Sequence, residues 1–201
     1  MLVAVRHGRT DLNAEESGKE RLRGWMDIPL SQDGHQDSMR AASELKKWGI
    51  PVDNYYTSNL RRAVQTGESI TAELNHEFEP TAKLRDWNVG ELTGMTIDDT
   101  LDDVHNYMDH PNTKVPGGES YNEFYNRITP FLKDLVESPE GNMVVTHNRV
   151  MTLLKAIAAN KGGNPRKDIL KKKGPVEPGG ILMIEPDWNM TILHNHGKSK
   201  S

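Results

Sequence analysis

Short apolar segments alternate along this chain with amphipathic segments of helical length, and this alternation limits the possible folds more than any other feature of the sequence. Apolar runs of a few residues suit buried strands, whereas the longer segments repeat their apolar residues at intervals of three and four, as helices do. The predicted segments are, in chain order, a strand at 2–5, a helix capped at 31 and running to 47, a strand at 53–57, a helix at 60–74, a weak strand around 78, helices at 97–109 and 119–137, a strand at 143–146, a helix at 150–159, and a terminal strand pair at 181–184 and 190–193. Such an order predicts an α/β fold, a three-layer sandwich with a mostly parallel central sheet and helices on both faces.

Local signals refine three of these segments. Ser31 and Ser58 stand just before predicted helices, where a serine oxygen can accept a hydrogen bond from a first-turn amide. Pro130 lies inside the predicted helix at 119–137 and is expected to kink it. The basic stretch 165–173 fits neither a helix nor a strand clearly.

Length and cysteine content narrow the class of protein. The 201 residues contain no repeat and no long linker, so we expect one domain spanning 1–201. The chain has no cysteine, which excludes disulfide scaffolds, thiolate zinc sites and cysteine nucleophiles.

Charge and hydropathy indicate where an anion could bind. With 25 basic and 29 acidic residues the net charge is −4, so no nucleic acid partner is expected and any anion site must be local. No segment approaches the roughly 20 apolar residues of a membrane span, and Arg6 interrupts the N-terminus before a signal-peptide length is reached. We therefore expect no membrane partner and a cytoplasmic location, with the oligomeric state left open.

Polar residues follow three of the predicted strands at the point where each strand ends. The first strand runs into Arg6-His7-Gly8, the second into Thr57-Ser58 and then Arg61-Arg62, and a later one into Thr146-His147-Asn148. In open α/β sheets ligands bind beyond the carboxyl ends of the strands. The sequence therefore predicts that two imidazoles and a pair of guanidiniums face one edge of the sheet.

This set of side chains suits a dianionic tetrahedral group better than a metal ion, because guanidiniums fork onto phosphate oxygens and repel cations. An imidazole nitrogen could then point at phosphorus, in line with the leaving oxygen. Gly8 would let the backbone approach the ligand closely. Asp86 and Glu91, in the loop after the third strand, supply carboxyl groups that could protonate a leaving oxygen. We expect a small phosphorylated substrate, no metal and no cofactor.

Six motifs in order resemble those of the histidine phosphatase superfamily, in its phosphoglycerate-mutase-like branch, from residue 3 to about 150. They are RHGRTDLN at 6–13, GWMDIPLSQDG at 24–34, TSNLRRAVQT at 57–66, LRDWNVGELTG at 84–94, PGGES at 116–120 and VVTHN at 144–148. One such motif alone would be a weak signal, whereas six in order are specific.

The resemblance implies a role for each matched residue. It makes His7 the nucleophile that forms a phosphohistidine, and Arg6, Arg62 and His147 the groups that clamp the phosphoryl oxygens. Asp86 falls at the general-acid position, and Arg61 is expected to face away from the site. The further candidate substrate contacts are Asn13, Arg23, Gly24 and Asn148. The resemblance also implies that no metal and no cofactor take part.

Two departures from the family pattern leave alternatives open. The family acid is usually glutamate, so Glu91 or Glu119 could replace the shorter Asp86. In the family, glycine commonly follows the second histidine, whereas here Asn148-Arg149 does. Arg149 could meet a second anionic group of the substrate, together with three other arginines, Arg9, Arg21 and Arg23. The alternative for Arg149 is a solvent-facing start of a helix.

The function expected from these residues is metal-independent hydrolysis of a phosphomonoester. The alternatives are mutase-type transfer between positions of phosphoglycerate, or a catalytically impaired module that only binds a phospholigand. The resemblance implies that mutases carry extra segments that close the site against water, and a chain of 201 residues has little room for them. Substrate choice is expected to depend on the loops at 14–24 and 95–118.

Overall fold

A computed structural model describes residues 1–13 and 19–195 of the chain, so part of the loop at 14–24, namely 14–18, lies outside the described residues. The strands are β1 (Leu2–Arg6), β2 (Asn54–Ser58), β3 (Glu79–Thr81), β4 (Asn142–Thr146), β5 (Ile181–Ile184) and β6 (Met190–His194). The helices are α1 (Gln32–Trp48), α2 (Arg61–Leu74), α3 (Ile97–Asp109), α4 (Tyr121–Glu137), α5 (Asn148–Ala158) and α6 (Lys167–Leu170), with short 3₁₀ turns at Ala82–Leu84 and Gly90–Leu92. The predicted alternation of strands and helices is confirmed.

The strands form one sheet in the order β3-β2-β4-β1-β5-β6. The first four run parallel, which agrees with the predicted mostly parallel sheet. Strand β5 is antiparallel to β1 and to β6. Alternate residues of β1 enter different cores: Leu2 and Ala4 pack with one hydrophobic cluster, and Val3 and Val5 with another. The first cluster takes in α4 and α5 and the second α1 and α2, which gives the three-layer α/β arrangement.

Helix ends confirm one predicted cap and correct the other. The Ser31 hydroxyl accepts from the Gly34 amide at 3.1 Å and caps α1. At α2 the N-cap residue is Leu60, with no side-chain capping bond, so the prediction that Ser58 caps this helix is wrong. Ser58 ends β2 instead, because the strand extends one residue beyond the predicted boundary.

Pro130 and the basic stretch at 165–173 were the two unusual features of the predicted helices. Helix α4 continues through Pro130 to Glu137, and the kink expected at Pro130 stays a prediction. The ambiguous basic stretch holds only the four-residue α6. None of the helices in the described ranges is long and apolar enough to cross a membrane.

The loop after β1 lies directly on the start of α1. A side chain on Gly8 would collide with the carbonyl oxygen of Gly34, and one on Gly34 would collide with the carbonyl oxygen of Arg9. The Gly8 amide donates to the Thr66 hydroxyl at 3.2 Å. The close approach that Gly8 allows is therefore made by the protein backbone and not, as predicted, by a ligand.

A buried carboxylate ties the same loop to α1. Asp37 accepts from the Arg9 amide at 3.1 Å, from Arg9 Nε at 2.8 Å and from Arg9 Nη2 at 2.9 Å, and it also accepts from Arg40. These bonds hold the pKa of Asp37 below its usual range although burial acts to raise it. The loop that carries His7 is thus anchored by a charged hydrogen-bond cluster.

We predict that Asp37→Asn lowers the free energy of unfolding by about 1–3 kcal/mol at pH 7, because the charged hydrogen bonds from Arg9 and Arg40 to this carboxylate are lost. The wild-type carboxylate has a folded-state pKa below the ordinary 3.8, so its contribution is complete above pH 3.8 and is lost as the pH falls through the folded-state value. Denaturant unfolding of the wild type and of Asp37→Asn, from pH 7 to acid pH, measures the difference between their free energies of unfolding. The exposed Asp102→Asn serves as control, and a gap that stays constant or widens toward acid pH would contradict the prediction.

Candidate active site

Parallel pairing of β1 with β4 brings the two candidate histidines together. Arg6 pairs with Thr146, and the His7 amide donates to the Thr146 carbonyl at 3.0 Å, so the strands end at the same level. The imidazole rings of His7 and His147 lie 5.1 Å apart between centroids, with an interplanar angle of 61°. Both histidines are buried. The structure therefore places His7 and His147 side by side at the carboxyl edge of the sheet.

Hydrogen bonds fix the tautomer of His7. Nδ1 lies 2.7 Å from the Gly8 carbonyl oxygen, and because a carbonyl only accepts, Nδ1 carries the proton. Nε2 is then the nitrogen with the lone pair, and it accepts from Arg62 Nε at 3.2 Å. Burial, followed by the charges of Arg62, Arg23 and Arg6, holds the pKa of His7 well below its ordinary value. His7 is thus neutral at pH 7, as a nitrogen nucleophile must be.

Arg62 is held by main-chain carbonyls. Its Nη1 donates to the Met26 carbonyl at 2.7 Å and its Nη2 to the Gly24 carbonyl at 2.9 Å. Gly24 has a φ of 46°, in the left-handed region that favours glycine. Burial lowers the pKa of Arg62 to about 10, so it stays charged at neutral pH. The loop at Gly24 therefore contributes to the site by aiming the Arg62 guanidinium.

Arg6 and Arg23 add two more guanidiniums. Arg6 Nη1 donates to the Val176 carbonyl at 2.9 Å, and burial lowers the pKa of Arg6 to about 10. Glu20 Oε1 lies 3.1 Å from Arg23 Nη2 and 3.9 Å from Arg6 Nη2. Arg6 Nε and Arg23 Nη1 are buried without a hydrogen-bond partner among the described residues. Both donors could therefore be satisfied by an anionic ligand.

His147 is positioned by Ser58, which the sequence analysis had predicted to cap a helix. Its Nε2 lies 2.8 Å from the Ser58 hydroxyl, while its Nδ1 is buried with no partner in the described part of the chain. Burial, with the charges of Arg62, His7 and Arg23, keeps the pKa of His147 well below its ordinary value. Ser58 was the residue missed by sequence reasoning, and its place at the carboxyl end of β2 was the available signal.

The three candidate acids have different surroundings. Asp86 is half-buried, its Oδ1 accepts from the Trp87 amide at 3.0 Å, and burial raises its pKa above the usual range although Arg62 and Arg149 act against this. Glu119 accepts from Arg127 at 2.7 Å and 3.3 Å. Glu91 is exposed. Asp86 combines partial burial with a raised pKa, which favours it as the proton donor.

The other residues that the resemblance singled out, Asn13, Asn148 and Arg61, differ in burial and in hydrogen bonding. Asn13 Oδ1 accepts from the Thr10 amide at 2.9 Å, which closes the turn after Gly8. Asn148 Oδ1 packs against Gly174, where no Cβ could fit, and is buried without a partner within the described ranges. Arg61 is exposed. Substrate contact by Asn13 and Asn148 stays a prediction.

A small pocket opens beside Asp86. Its lining includes Asp86, Asn148 and three arginines, Arg21, Arg23 and Arg149. The fourth arginine of the predicted second-anion set, Arg9, is not part of this lining because it is paired with Asp33 at 3.2 Å and with Asp37. In the described part of the chain no group of three histidine, aspartate or glutamate side chains is arranged to hold a metal ion.

Comparison with known proteins identifies similar sequences over most of the chain. A family model described as the histidine phosphatase superfamily (branch 1) matches residues 2–169. A 2,3-bisphosphoglycerate-dependent phosphoglycerate mutase of Xanthobacter autotrophicus is 33% identical over 206 residues, covering 96% of this chain and 90% of the relative. A protein of the same name from Rhizobium etli is 34% identical over 166 residues, covering 77% of this chain and 78% of the relative.

Solved structures with the same fold include proteins with two different activities in their names. A mycobacterial glucosyl-3-phosphoglycerate phosphatase in complex with VO3 superposes with a TM-score of 0.71 at 26% identity, covering 90% of both chains. A phosphoglycerate mutase from Thermus thermophilus superposes with a TM-score of 0.65 at 25% identity, also covering 90% of both chains.

We predict that the acid limb of kcat/KM lies below pH 6.5 and that Arg23→Gln moves it to higher pH. Positive charge beside His7 disfavours the imidazolium, so removing a cation raises the pKa and His7 becomes protonated, and inactive, at a higher pH. The profile is measured with one aryl phosphate for all proteins, so that ionisation of the substrate is the same in each. Lys47→Gln, at an exposed ion pair on α1, is the control; a limb that does not move, or moves to lower pH, in Arg23→Gln contradicts the assignment.

Proposed function

The chain belongs to branch 1 of the histidine phosphatase superfamily, and from this premise we propose that it hydrolyses a small phosphomonoester through a covalent phosphohistidine, without a metal or cofactor. The observation that carries the proposal is the state of His7. Its Nδ1 proton is held by a carbonyl, its Nε2 carries a lone pair, and guanidiniums lie around it. This combination provides a neutral nucleophile within a site of high positive charge.

In the first step, Nε2 of His7 attacks phosphorus and the bond from phosphorus to the ester oxygen breaks. The hydrogen bond from Arg62 Nε to Nε2 of His7 breaks. Arg62, Arg6 and His147 then bind the phosphoryl oxygens, over which the negative charge is spread. Asp86 gives its proton to the leaving oxygen, which departs as an alcohol. The raised pKa of Asp86 favours the protonated form that this step needs.

In the second step, the Asp86 carboxylate takes a proton from water as the water oxygen attacks phosphorus. The phosphorus–nitrogen bond breaks, its electron pair returns to Nε2 of His7, and inorganic phosphate leaves. The pocket beside Asp86 is bordered by Glu20 and Arg21, both half-exposed, which gives water a route to this carboxylate.

Mutase activity is the second candidate, because the curated relatives described above carry that name. The sequence analysis expected this chain to be too short for a mutase. That expectation is not supported, because the alignments cover similar shares of this chain and of the relatives named as mutases. The access of water to Asp86 favours hydrolysis. The two activities differ in the fate of the phosphoryl group on His7.

We predict sustained release of inorganic phosphate from an aryl phosphate in EDTA. With 3-phosphoglycerate and a trace of 2,3-bisphosphoglycerate, we expect phosphate release to exceed formation of 2-phosphoglycerate. His7→Ala should show neither activity and should not acquire an acid-labile, base-stable phosphoryl label. Isomerisation faster than phosphate release would make the mutase reading correct, a requirement for divalent metal would overturn the mechanism, and stoichiometric binding without turnover would indicate a binding module.

We predict that Asp86→Asn lowers kcat/KM for alkyl phosphates by about 10² to 10⁴ and has a much smaller effect on kcat/KM for 4-nitrophenyl phosphate, because a good leaving group needs no proton. This parameter is used because it reports the first step alone, whereas loss of the base in the second step slows turnover of all esters alike. Rates for a series of esters of rising leaving-group pKa provide the measurement. Glu91→Gln, at an exposed carboxylate of the same loop, is the matched control and should leave the series unchanged. Equal slowing of good and poor leaving groups in Asp86→Asn would move the acid role elsewhere.

A further inference from the structure

An arginine on α4 binds the carbonyl groups of the segment that leads into Asp86. Four hydrogen bonds run from the Arg127 guanidinium to this segment: Nη1 donates to the carbonyls of Ala82, Lys83 and Arg85 at 3.3 Å, 3.1 Å and 3.2 Å, and Nη2 donates to the Asp86 carbonyl at 3.1 Å. The first of these residues form a 3₁₀ turn, whose last carbonyl groups have no partner within the turn. One guanidinium therefore holds the main chain at four points up to and including Asp86.

Glu119 holds the chain on the other side of Asp86. Its carboxylate accepts from Arg127 Nη2 at 2.7 Å and from Arg127 Nε at 3.3 Å, and its Oε1 also accepts from the Asn88 amide at 3.0 Å. The Glu119 amide donates to the Asn88 carbonyl at 3.0 Å, and the Glu119 carbonyl accepts from Trp87 Nε1 at 3.0 Å. Together, Arg127 and Glu119 fix the main chain both before and after the proposed proton donor.

Trp25 supplies a second donor to the Asp86 carbonyl. Its Nε1 donates to that oxygen at 2.8 Å, beside the bond from Arg127. The guanidiniums of Arg85 and Arg127 lie 4.7 Å and 5.6 Å from the centroid of the indole ring, within the range of cation–π contacts. The carbonyl of Asp86 is therefore held by donors from two remote parts of the chain.

The carboxyl group of Asp86 follows the position of its main chain closely. An aspartate side chain is short, so it compensates for a displaced backbone less well than a glutamate would. Asp86 Oδ1 also accepts from the Trp87 amide at 3.0 Å, which ties the carboxyl group to the next peptide. A proton donor must lie within hydrogen-bond reach of the leaving oxygen, and a misplacement of about 1 Å can lower a rate about 10²-fold. The contacts that fix the main chain at Asp86 thus bear directly on proton transfer.

We propose that Arg127 is a positioning residue for the proton donor: it fixes the main chain at Asp86 and so places the carboxyl group at the leaving oxygen. Glu119 and Trp25 complete this support. The inference rests on the proposed hydrolysis, in which Asp86 protonates that oxygen. The contribution of Arg127 is geometrical, since the four carbonyls that it binds belong to the main chain. Burial and nearby cations, Arg127 among them, lower the pKa of His147, so a test of geometry must keep the charge.

The test is Arg127→Lys, which keeps the positive charge but lacks the planar fork that binds several carbonyls at once. We expect kcat/KM for alkyl phosphates to fall about 10- to 10²-fold, whereas kcat/KM for 4-nitrophenyl phosphate, whose leaving group needs no proton, should change less than about threefold. Arg166→Lys, at an exposed ion pair with Asp168, is the matched control and should leave both values unchanged. Equal slowing of the two kinds of ester in Arg127→Lys would assign Arg127 a purely structural role and overturn the inference.

Two further variants sharpen this test. In an Asp86→Asn background, Arg127→Lys should cause no further loss with alkyl phosphates, because a positioning residue has no effect once the group that it positions is absent. Trp25→Phe removes the other donor to the Asp86 carbonyl and keeps an aromatic ring, and it should show the same selective loss with alkyl phosphates even if Arg127→Lys does not fold. Additive losses in the double variant, or equal losses for both kinds of ester in Trp25→Phe, would contradict the inference.

A spectroscopic measurement separates this inference from the proposed function. In protein labelled with ¹³C at the aspartate carboxyl groups, the signal of Asp86, assigned with an Asp86→Asn spectrum, reports the titration of this group. Burial raises the pKa of Asp86 above 3.8 in the wild type. A loosened main chain lets water reach the carboxyl group, so its pKa should fall toward 3.8 in Arg127→Lys and stay unchanged in Arg166→Lys.

The two proposals then fail in different ways. If the wild type hydrolyses no ester while the pKa of Asp86 falls in Arg127→Lys, the hydrolase proposal fails and the positioning of Asp86 by Arg127 stands. An unchanged pKa of Asp86 in Arg127→Lys overturns the inference, whatever the activity.

Discussion

The parallel pairing of β1 with β4 is the contact on which the site depends. Both strands are buried along their whole length, and β1 contributes alternate residues to the two cores on either side of the sheet. A shift of one residue in the register would move every side chain of β1 to the opposite face, so the register is strongly specified. Since Arg6 is paired with Thr146, the residues that follow, His7 and His147, become neighbours. Core packing thus fixes the distance between the two imidazoles.

Positive charge at the site is preserved by the way in which its arginines are held. Arg62 and Arg6 donate to the main-chain carbonyls of Met26, Gly24 and Val176, which orient the guanidiniums without cancelling their charge. Arg9 differs because the Asp37 carboxylate neutralises it, and its role is to anchor the loop. Arg62 and Arg23 disfavour protonation of both histidines, and Arg6 Nε and Arg23 Nη1 are donors left for an anion. The same arrangement that costs stability in the free protein favours binding of a phosphoryl group.

Much of the fold and of the candidate site could be predicted from the sequence, because both depend on local periodicity and on the order of strands and helices along the chain. The strand and helix alternation and the meeting of Arg6, His7 and His147 at one edge of the sheet follow from where the strands end. The contact of Ser58 with His147 could not be predicted, because it depends on the length of β2 to a single residue. Segments remote in sequence set the rest, namely the approach of Gly8 to Gly34 and the hydrogen bonds from Arg127 to the main chain at 82–86. Spacing along the chain carries no information on such distances.

The central claim is that His7 is a neutral imidazole with its proton on Nδ1, which leaves Nε2 as the nucleophile. Proton-coupled nitrogen NMR of ¹⁵N-histidine-labelled protein, assigned with a His7→Ala spectrum, reports the charge and tautomer of each ring directly. At pH 7 and without substrate, the account predicts a neutral His7 ring, protonated at Nδ1 and bare at Nε2. An imidazolium at this position, or a proton on Nε2, would contradict it.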